Sequence, residues 1–291
     1  MQLTNGLLYG KSATVIDPNG DMTRAEMAAI INRSFGCYKA ADISQYKDVA
    51  KPKWYYKDVA MAVQMGTYNG RSASSMAPDA PISRQEAMTV VARALELDYD
   101  SYSKTDLSAF SDRDKISTWA LPYVRAMVGA DYIHGRGKVL APLDNITRAE
   151  FAQIFHNIIG TYVVSKGTYD KDIKGSVLIR TDDVELKNMT VDGDLIIGCG
   201  AADGKITLDN VTVKGRLLVW GGGTKAVYAA WSVCSGCWSS TAPARSGESG
   251  ACAVALVYEP IDKRYAAKRT DRQRLYGCAR VRRSCARETP V

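Results

Sequence analysis

The chain has 291 residues, 46% of them hydrophobic and 24% charged, which is the composition of a globular protein with room for about two domains. No apolar run reaches the roughly 18 residues that a membrane-spanning helix needs, and Met1 to Gly10 lacks the basic-then-apolar pattern of a secretory signal. The whole net charge of +7 lies in residues 224–291, which hold twelve Lys and Arg against five Asp and Glu, so the composition argues against nucleic-acid binding by residues 1–223.

Three segments with the same helix-start pattern begin at Met22, Ile82 and Ile146, 60 and then 64 residues apart. In each segment a Thr or Ser is followed three residues later by Glu, which is the capping-box pattern. Apolar residues then recur at helical spacing. The repeat therefore predicts three capped helices, which begin directly after Thr23, Ser83 and Thr147.

A second helix and a glycine-bounded loop precede the capped helix in two of the three copies. One helix starts near Trp54 and leads to the loop between Gly66 and Gly70, and the other starts near Trp119 and leads to Asp131 and Gly135. The first copy retains only the loop, from Gly6 to Gly10. An aromatic-x-Asp motif stands before both helices, at Tyr46–Asp48 and Phe110–Asp112.

Together these motifs resemble the S-layer homology family over residues 1 to about 160. The resemblance implies a mainly α, pseudo-threefold module of three repeats: 1–36, truncated at its N-terminus, 37–100 and 101–165. It also implies a protein of the cell surface in Gram-positive-type envelopes. Its partner would be a secondary cell-wall polysaccharide, typically a pyruvylated one.

Chemistry agrees with such a ligand, because a pyruvate ketal presents a carboxylate. Arg24, Arg84 and Arg148 each stand at the first position of a capped helix, where a guanidinium and the open backbone N–H groups both favour an anion. The alternative is that each Arg pairs with its neighbouring Glu. Five loop glycines would let the backbone approach a sugar closely, namely Gly6, Gly10, Gly66, Gly70 and Gly135.

Two further candidates are tryptophans. Trp54 and Trp119 are suited to stacking on a pyranose ring, although a core position is the more ordinary interpretation of a Trp on a helix. Asp131 replaces the first loop glycine of the third copy, and its carboxylate would repel an anionic ligand. We therefore expect the strongest site in the second copy.

Residues 170–223 change to the alternating apolar pattern of strands, and Val184–Ile197 recurs as Ile206–Val219 in a 22-residue register. The pattern predicts a partial right-handed β-solenoid. Asn188 and Asn210 would form a buried ladder at a turn, or would simply be turn residues. An open strand edge after the last rung would allow self-association.

Residues 224–291 show no such register and contain five of the seven cysteines. Cys234 and Cys237 have the spacing of a zinc knuckle, but no second pair follows, so no metal site is expected. The composition resembles out-of-frame translation, which predicts a non-native or disordered tail on a fragment of a larger exported protein.

The sequence leaves three functional hypotheses. The first is a non-enzymatic anchor without a cofactor, the second a displayed polysaccharide-active enzyme, and the third a self-assembling S-layer subunit. No pair of catalytic carboxylates stands out in residues 170–223, and His134 and His156 are too isolated to suggest a catalytic or metal site. We therefore expect the anchor.

Overall fold

The computed structural model describes residues 6–12, 14–36, 40–198, 201 and 204–220, together with the backbone of four short strands between residues 227 and 257. The chain divides into two compact units, Met1–Gly160 and Thr161–Val291. The first is mainly helical, and the described regular elements of the second are mainly strands.

Five α-helices and one 3₁₀ turn lie among the described residues of the first unit. The three predicted capped helices are α1, α3 and α5, and each has a complete capping box in which the Thr or Ser and the Glu are both bonded to backbone N–H groups. Two shorter helices, α2 and α4, pack against α1 and α3 respectively. The helices are α1 (Arg24–Ser34), α2 (Tyr56–Gln64), α3 (Arg84–Ala94), α4 (Leu121–Gly129) and α5 (Arg148–Ile158), with the 3₁₀ turn at Arg113–Lys115.

A closed ring of backbone hydrogen bonds joins the residues that lead into α1, α3 and α5. The N–H of Met22 donates to the carbonyl of Ile146 at 3.0 Å, that of Ile146 to Ile82 at 3.0 Å, and that of Ile82 back to Met22 at 2.9 Å. All three side chains are fully buried. The residues before the three capped helices are therefore joined in one ring, in which Met22 supplies the third side.

The aromatic-x-Asp motifs fix the extended link before α3 and α5. The Asp48 carboxylate accepts the N–H groups of Met76 and Ala77 at 3.0 and 2.7 Å, and Asp112 does the same for Leu140 and Ala141. Burial alone would raise the pKa of Asp48, but these hydrogen bonds outweigh it and lower the pKa. The motif is thus a structural clamp on the loop.

Parallel strands make up the second unit, in two sheets that enclose a common apolar core. One sheet contains β1 (Thr161–Val163), β3 (Val177–Ile179), β5 (Leu195–Ile197) and β7 (Leu217–Val219), and the other contains β2 (Gly167–Tyr169), β4 (Val184–Val191) and β6 (Ile206–Val213). Strand β4 pairs with β6, and β5 with β7, at the predicted offset of 22 residues. The earlier pairs have shorter offsets, as in Val177 with Leu195.

The Asn ladder exists, but it lies on the surface. Asn188 and Asn210 adopt left-handed backbone angles, with φ of 49° and 52°, and the amide of Asn210 donates to Asn188 Oδ1 at 2.8 Å. Both side chains are exposed, so the expectation of a buried ladder was wrong. The alternation of inward and outward side chains is interrupted at each Asn: two successive side chains lie outward, and the inward series resumes at Met189 and Val211. The left-handed backbone at the Asn accounts for this change of phase, which period-two alternation alone does not predict.

Four strands lie within residues 224–291, at β8 (Val227–Ala230), β9 (Val233–Cys234), β10 (Ser239–Ser240) and β11 (Ala255–Val257). Strands β8 and β9 pair in parallel with β6, β10 with β7, and β11 with β8. At these strands the backbone continues the sheets, although residues 224–291 lack the 22-residue register of the sequence. The rest of 224–291, including Cys237, lies outside the described residues, and its interpretation as non-native sequence stays a prediction.

Candidate functional site

The arginines at the start of α1, α3 and α5 are buried, with exposed fractions of only 2–5%. The Nε of each donates at 2.8–3.0 Å to a backbone carbonyl of another copy, in the link that leads into that copy's capped helix. Each guanidinium also pairs with the capping-box Glu of another copy, not with the Glu of its own helix. The pairs close a second ring: Arg24–Glu86 at 2.7 Å, Arg84–Glu150 at 3.1 Å and Arg148–Glu26 at 3.4 Å.

The first N–H groups of these helices are already bonded within the protein. The N–H of Arg24 donates to the carbonyl of Ala80 at 3.0 Å, and that of Ala25 to Pro78 at 2.9 Å. Equivalent bonds are made at the start of α3 and α5. The sequence suggested that these N–H groups are open to an anion, but in the structure they are bonded to carbonyls. Of the groups proposed from sequence at the helix starts, the guanidinium edges therefore remain as candidate contacts.

A second cation, which was not among the residues predicted from sequence, completes each arrangement. It is the residue directly after the second loop glycine: Lys11, Arg71 and Arg136. These side chains are 37–45% exposed and contact the same three glutamates, at 2.8 Å for Lys11–Glu26, 3.4 Å for Arg71–Glu86 and 2.6 Å for Arg136–Glu150. The recurrence of a basic residue after the glycine was the available signal.

We call these sets the first cluster (Lys11, Glu26, Arg148), the second cluster (Arg24, Arg71, Glu86) and the third cluster (Arg84, Arg136, Glu150). Burial alone would raise the pKa of each Glu, but hydrogen bonds and the neighbouring cations lower all three, that of Glu150 to about 2. The glutamates are therefore charged at neutral pH. Each cluster presents two cations against one carboxylate, with one cation open to solvent.

The loop glycines satisfy backbone and packing requirements. Gly6 and Gly66 have φ of 62° and 70°, and Asp131 takes the same left-handed conformation at 61° after the end of α4. A Cβ on Gly70 would come within 2.5 Å of the Tyr46 ring, and one on Gly135 within 2.6 Å of the Phe110 ring. A Cβ on Gly10 would meet two backbone carbonyls at 2.6 Å. These positions hold the loop that carries the exposed cation.

Both candidate tryptophans lie on the surface. Trp54 is 60% exposed and Trp119 is 51% exposed, so the interpretation of them as core residues was wrong. They stand just before α2 and α4, not within the helices, and the core position beneath Trp54 is filled by Tyr55. The rings of Trp54 and Tyr55 meet edge to face with centroids 5.4 Å apart, which leaves a face of Trp54 for a ligand.

Other site types receive no support within the described residues. They contain no group of three or more His, Cys, Asp or Glu side chains arranged to hold a metal ion. No described helix is long and apolar enough to cross a membrane. A surface cavity of about 590 Å³ lies beside the start of α4, with Lys104, Arg113 and Arg125 among its lining residues, but none of the sequence-predicted candidates lines it.

Comparison with known proteins supports the resemblance in part. The sequence profile of the S-layer homology domain matches residues 45–88 and 109–152, which run from each aromatic-x-Asp motif into the following capped helix. The family is thus supported at two of the three copies. Residues 1–36 lie outside the match.

Three relatives match this chain over about half of its length. The surface-layer 125 kDa protein of Lysinibacillus sphaericus is 32% identical over 158 residues, 53% of this chain and 13% of that protein. An amylopullulanase of Thermoanaerobacterium thermosulfurigenes and exoglucanase XynX of Acetivibrio thermocellus are each 30% identical over 156 residues, 53% of this chain and 8% and 14% of those proteins. The matched region is therefore a small part of each relative.

Proposed function

We propose that the helical unit attaches this chain non-covalently to an anionic cell-wall polysaccharide at the cell surface, through the exposed cations of the three clusters. The observation that carries the proposal is the threefold recurrence of an exposed Lys or Arg beside a buried Arg–Glu pair. A ligand carboxylate, such as that of a pyruvate ketal, can accept hydrogen bonds from the exposed cation without breaking the buried ring.

The relatives favour attachment over catalysis as the role of this unit. One is named as a surface-layer protein and two as polysaccharide-degrading enzymes, and the enzymes match this chain through the S-layer homology region alone. A module shared by proteins with such different names favours a role that is independent of catalysis, and attachment at the cell surface is the role that we propose for this chain. We propose accordingly that the described part of the chain is not itself an enzyme.

Trp54 and Trp119 supply the second part of the proposed interface. An exposed indole stacks on the apolar face of a pyranose, while the clusters hold the charged substituent. Carbohydrate binding by this combination needs no metal or cofactor. The buried arginines act here chiefly by fixing the glutamates, and therefore the exposed cations, in place.

For the second unit we propose a right-handed β-solenoid, which the two parallel sheets and the 22-residue offsets support. Self-association through its end strands belongs to the same proposal, because an unpaired strand edge templates another strand. Light scattering of the intact chain over a range of concentrations tests it. A mass that stays monomeric at every concentration contradicts the association.

The binding proposal is tested by sedimentation with purified cell-wall sacculi. We expect the chain to pellet with them, and removal of ketal-linked pyruvate to weaken the binding. Replacing Lys11, Arg71 and Arg136 together by Ala should weaken it by at least tenfold, since a hydrogen bond to a charged group contributes about 1.5–3 kcal/mol.

The matched control replaces three exposed cations outside the clusters by Ala: Lys57, Arg113 and Lys115. It changes the net charge equally and should leave sacculus binding within about twofold, because isolated surface charges contribute little. Equal loss in both triple variants indicates a general charge effect and contradicts the proposal. Release of reducing sugar from the sacculi by the intact chain contradicts the non-enzymatic role.

A further inference from the structure

The three clusters differ in one carboxylate. The residue four positions before each helix-start arginine is Gly20 in the first copy, Ala80 in the second and Asp144 in the third. Their equivalence is structural, since the carbonyls of all three accept the N–H of the arginine that begins the next helix around the ring. Of the three, Asp144 is alone in having a side chain able to bond a cation.

That side chain is directed at the exposed cation of the third cluster. Asp144 Oδ2 lies 2.8 Å from Arg136 Nη1, while Glu150 Oε1 lies 2.6 Å from Arg136 Nε. The guanidinium is thus held from two sides by two carboxylates. The hydrogen bond that Arg136 donates to Glu150, with further support from Asp144, raises the pKa of Arg136.

Arg71, the matching residue of the second cluster, is held far more loosely. Its Nη2 lies 3.4 Å from Glu86 Oε2, and the same atom donates to the carbonyl of Pro81 at 3.0 Å. Ala80 offers no carboxylate there. Counted by charge, the second cluster has two cations and one anion, whereas the third cluster together with Asp144 has two cations and two anions.

We propose that Asp144 closes the third cluster to anionic ligands, so that the second cluster is the principal carboxylate-binding site of the chain. The first cluster also lacks this carboxylate, but its Lys11 is held by Glu26 at 2.8 Å, whereas Arg71 lies 3.4 Å from Glu86. This inference rests on the proposed function and assigns the specificity to a residue outside the helix-start and loop motifs. A ligand carboxylate approaching Arg136 meets the charge of Asp144 and has to displace it. At Arg71 the same approach meets no second carboxylate.

Chemical labelling tests the restraint without any ligand. Phenylglyoxal reacts with accessible guanidinium groups, and peptide mass spectrometry of the intact chain gives a rate for each arginine. We expect Arg71 to react about two- to fivefold faster than Arg136, the range that exposed ion pairs support. Asp144→Ala should raise the rate of Arg136 toward that of Arg71, and Asp114→Ala, which removes a carboxylate remote from the clusters, should leave it unchanged. Equal rates in the unaltered chain overturn the inference.

Ligand titration tests the consequence. The probe is a methyl glycoside that carries a 4,6-pyruvate ketal. Arg71→Ala should abolish most binding when Asp144 is present, and a smaller part of it when Asp144→Ala is combined with it. Binding that survives Arg71→Ala alone overturns the inference while leaving the proposed function in place. Absence of binding in every variant contradicts the proposed function, and the ligand preference with it, while the labelling rates still report on Asp144.

Discussion

The two units use repetition in opposite ways. In the helical unit the three copies form a closed ring, in which Arg24, Arg84 and Arg148 each pair with the Glu of another copy. In the strand unit each rung pairs with the next, as in Lys187–Asp209 and Arg216–Asp194, and the stack has ends. A closed repeat distributes the effect of one lost contact around the ring, whereas an open one confines it to neighbouring rungs.

The largest effect should come from opening the ring. Arg148→Ala removes a buried guanidinium and leaves Glu26 and the carbonyl of Ile16 without that partner. Loss of one member of a buried ion pair costs about 3–5 kcal/mol. We expect urea unfolding of the intact chain, followed by its helical circular dichroism signal, to give a free energy of unfolding lower by this amount.

Arg113→Ala is the matched control for that experiment, since Arg113 is exposed and its contact with Asp114 is 3.8 Å long. It should change the free energy of unfolding by less than about 0.5 kcal/mol. Equal stabilities of the Arg148→Ala and unaltered chains would show that the ring is not cooperative.

Acid should also destabilise the ring, because it protonates the three glutamates that pair with the arginines. The folded pKa values of Glu26, Glu86 and Glu150 lie below the ordinary value, so their contribution to stability is complete above the unfolded pKa. It is lost as the pH falls toward the folded values, which for Glu150 means toward about 2. We therefore expect the helical unit to lose stability between about pH 4.5 and 2.

A variant with Gln in place of Glu150 should show a smaller acid dependence over that range, together with a lower stability at neutral pH. The comparison is made by thermal unfolding at several pH values. An acid dependence as steep as in the unaltered chain contradicts the assignment of the effect to these glutamates.

The smallest effect should come from the strand unit. Asn210→Ala removes the hydrogen bond to Asn188 and places Ala at a φ of 52°, and the two changes together should cost about 1–2 kcal/mol. Asn210→Gly loses the bond but tolerates the backbone angle, so it should cost less. Hydrogen exchange of β4 and β6 measures both, and a larger loss with Gly than with Ala contradicts the role given to the backbone angle.

Several predictions from sequence were confirmed because they rest on short-range physics. A capping box joins residues three apart, so Thr23 and Glu26 suffice to place the start of α1. The period-two pattern likewise places alternate side chains of β4 and β6 on opposite faces. The repeat spacing went further, since it indicated three equivalent copies and a 22-residue strand offset.

What the sequence could not determine depends on partners far apart in the chain. Arg148 pairs with Glu26 across 122 residues, and the first N–H groups of each helix are taken by carbonyls of another copy. No local pattern reports such closure, and the arginines therefore looked open to a ligand.

The exposure of the two tryptophan side chains likewise depends on the tertiary structure. Trp54 and Trp119 have the character of core residues, but Tyr55 and the helices already fill the interior beneath them. The sequence by itself determined the caps, the periods and the copies. The tertiary structure alone decided which cations are buried and which face solvent, because burial depends on what packs against a side chain and not on its neighbours along the chain.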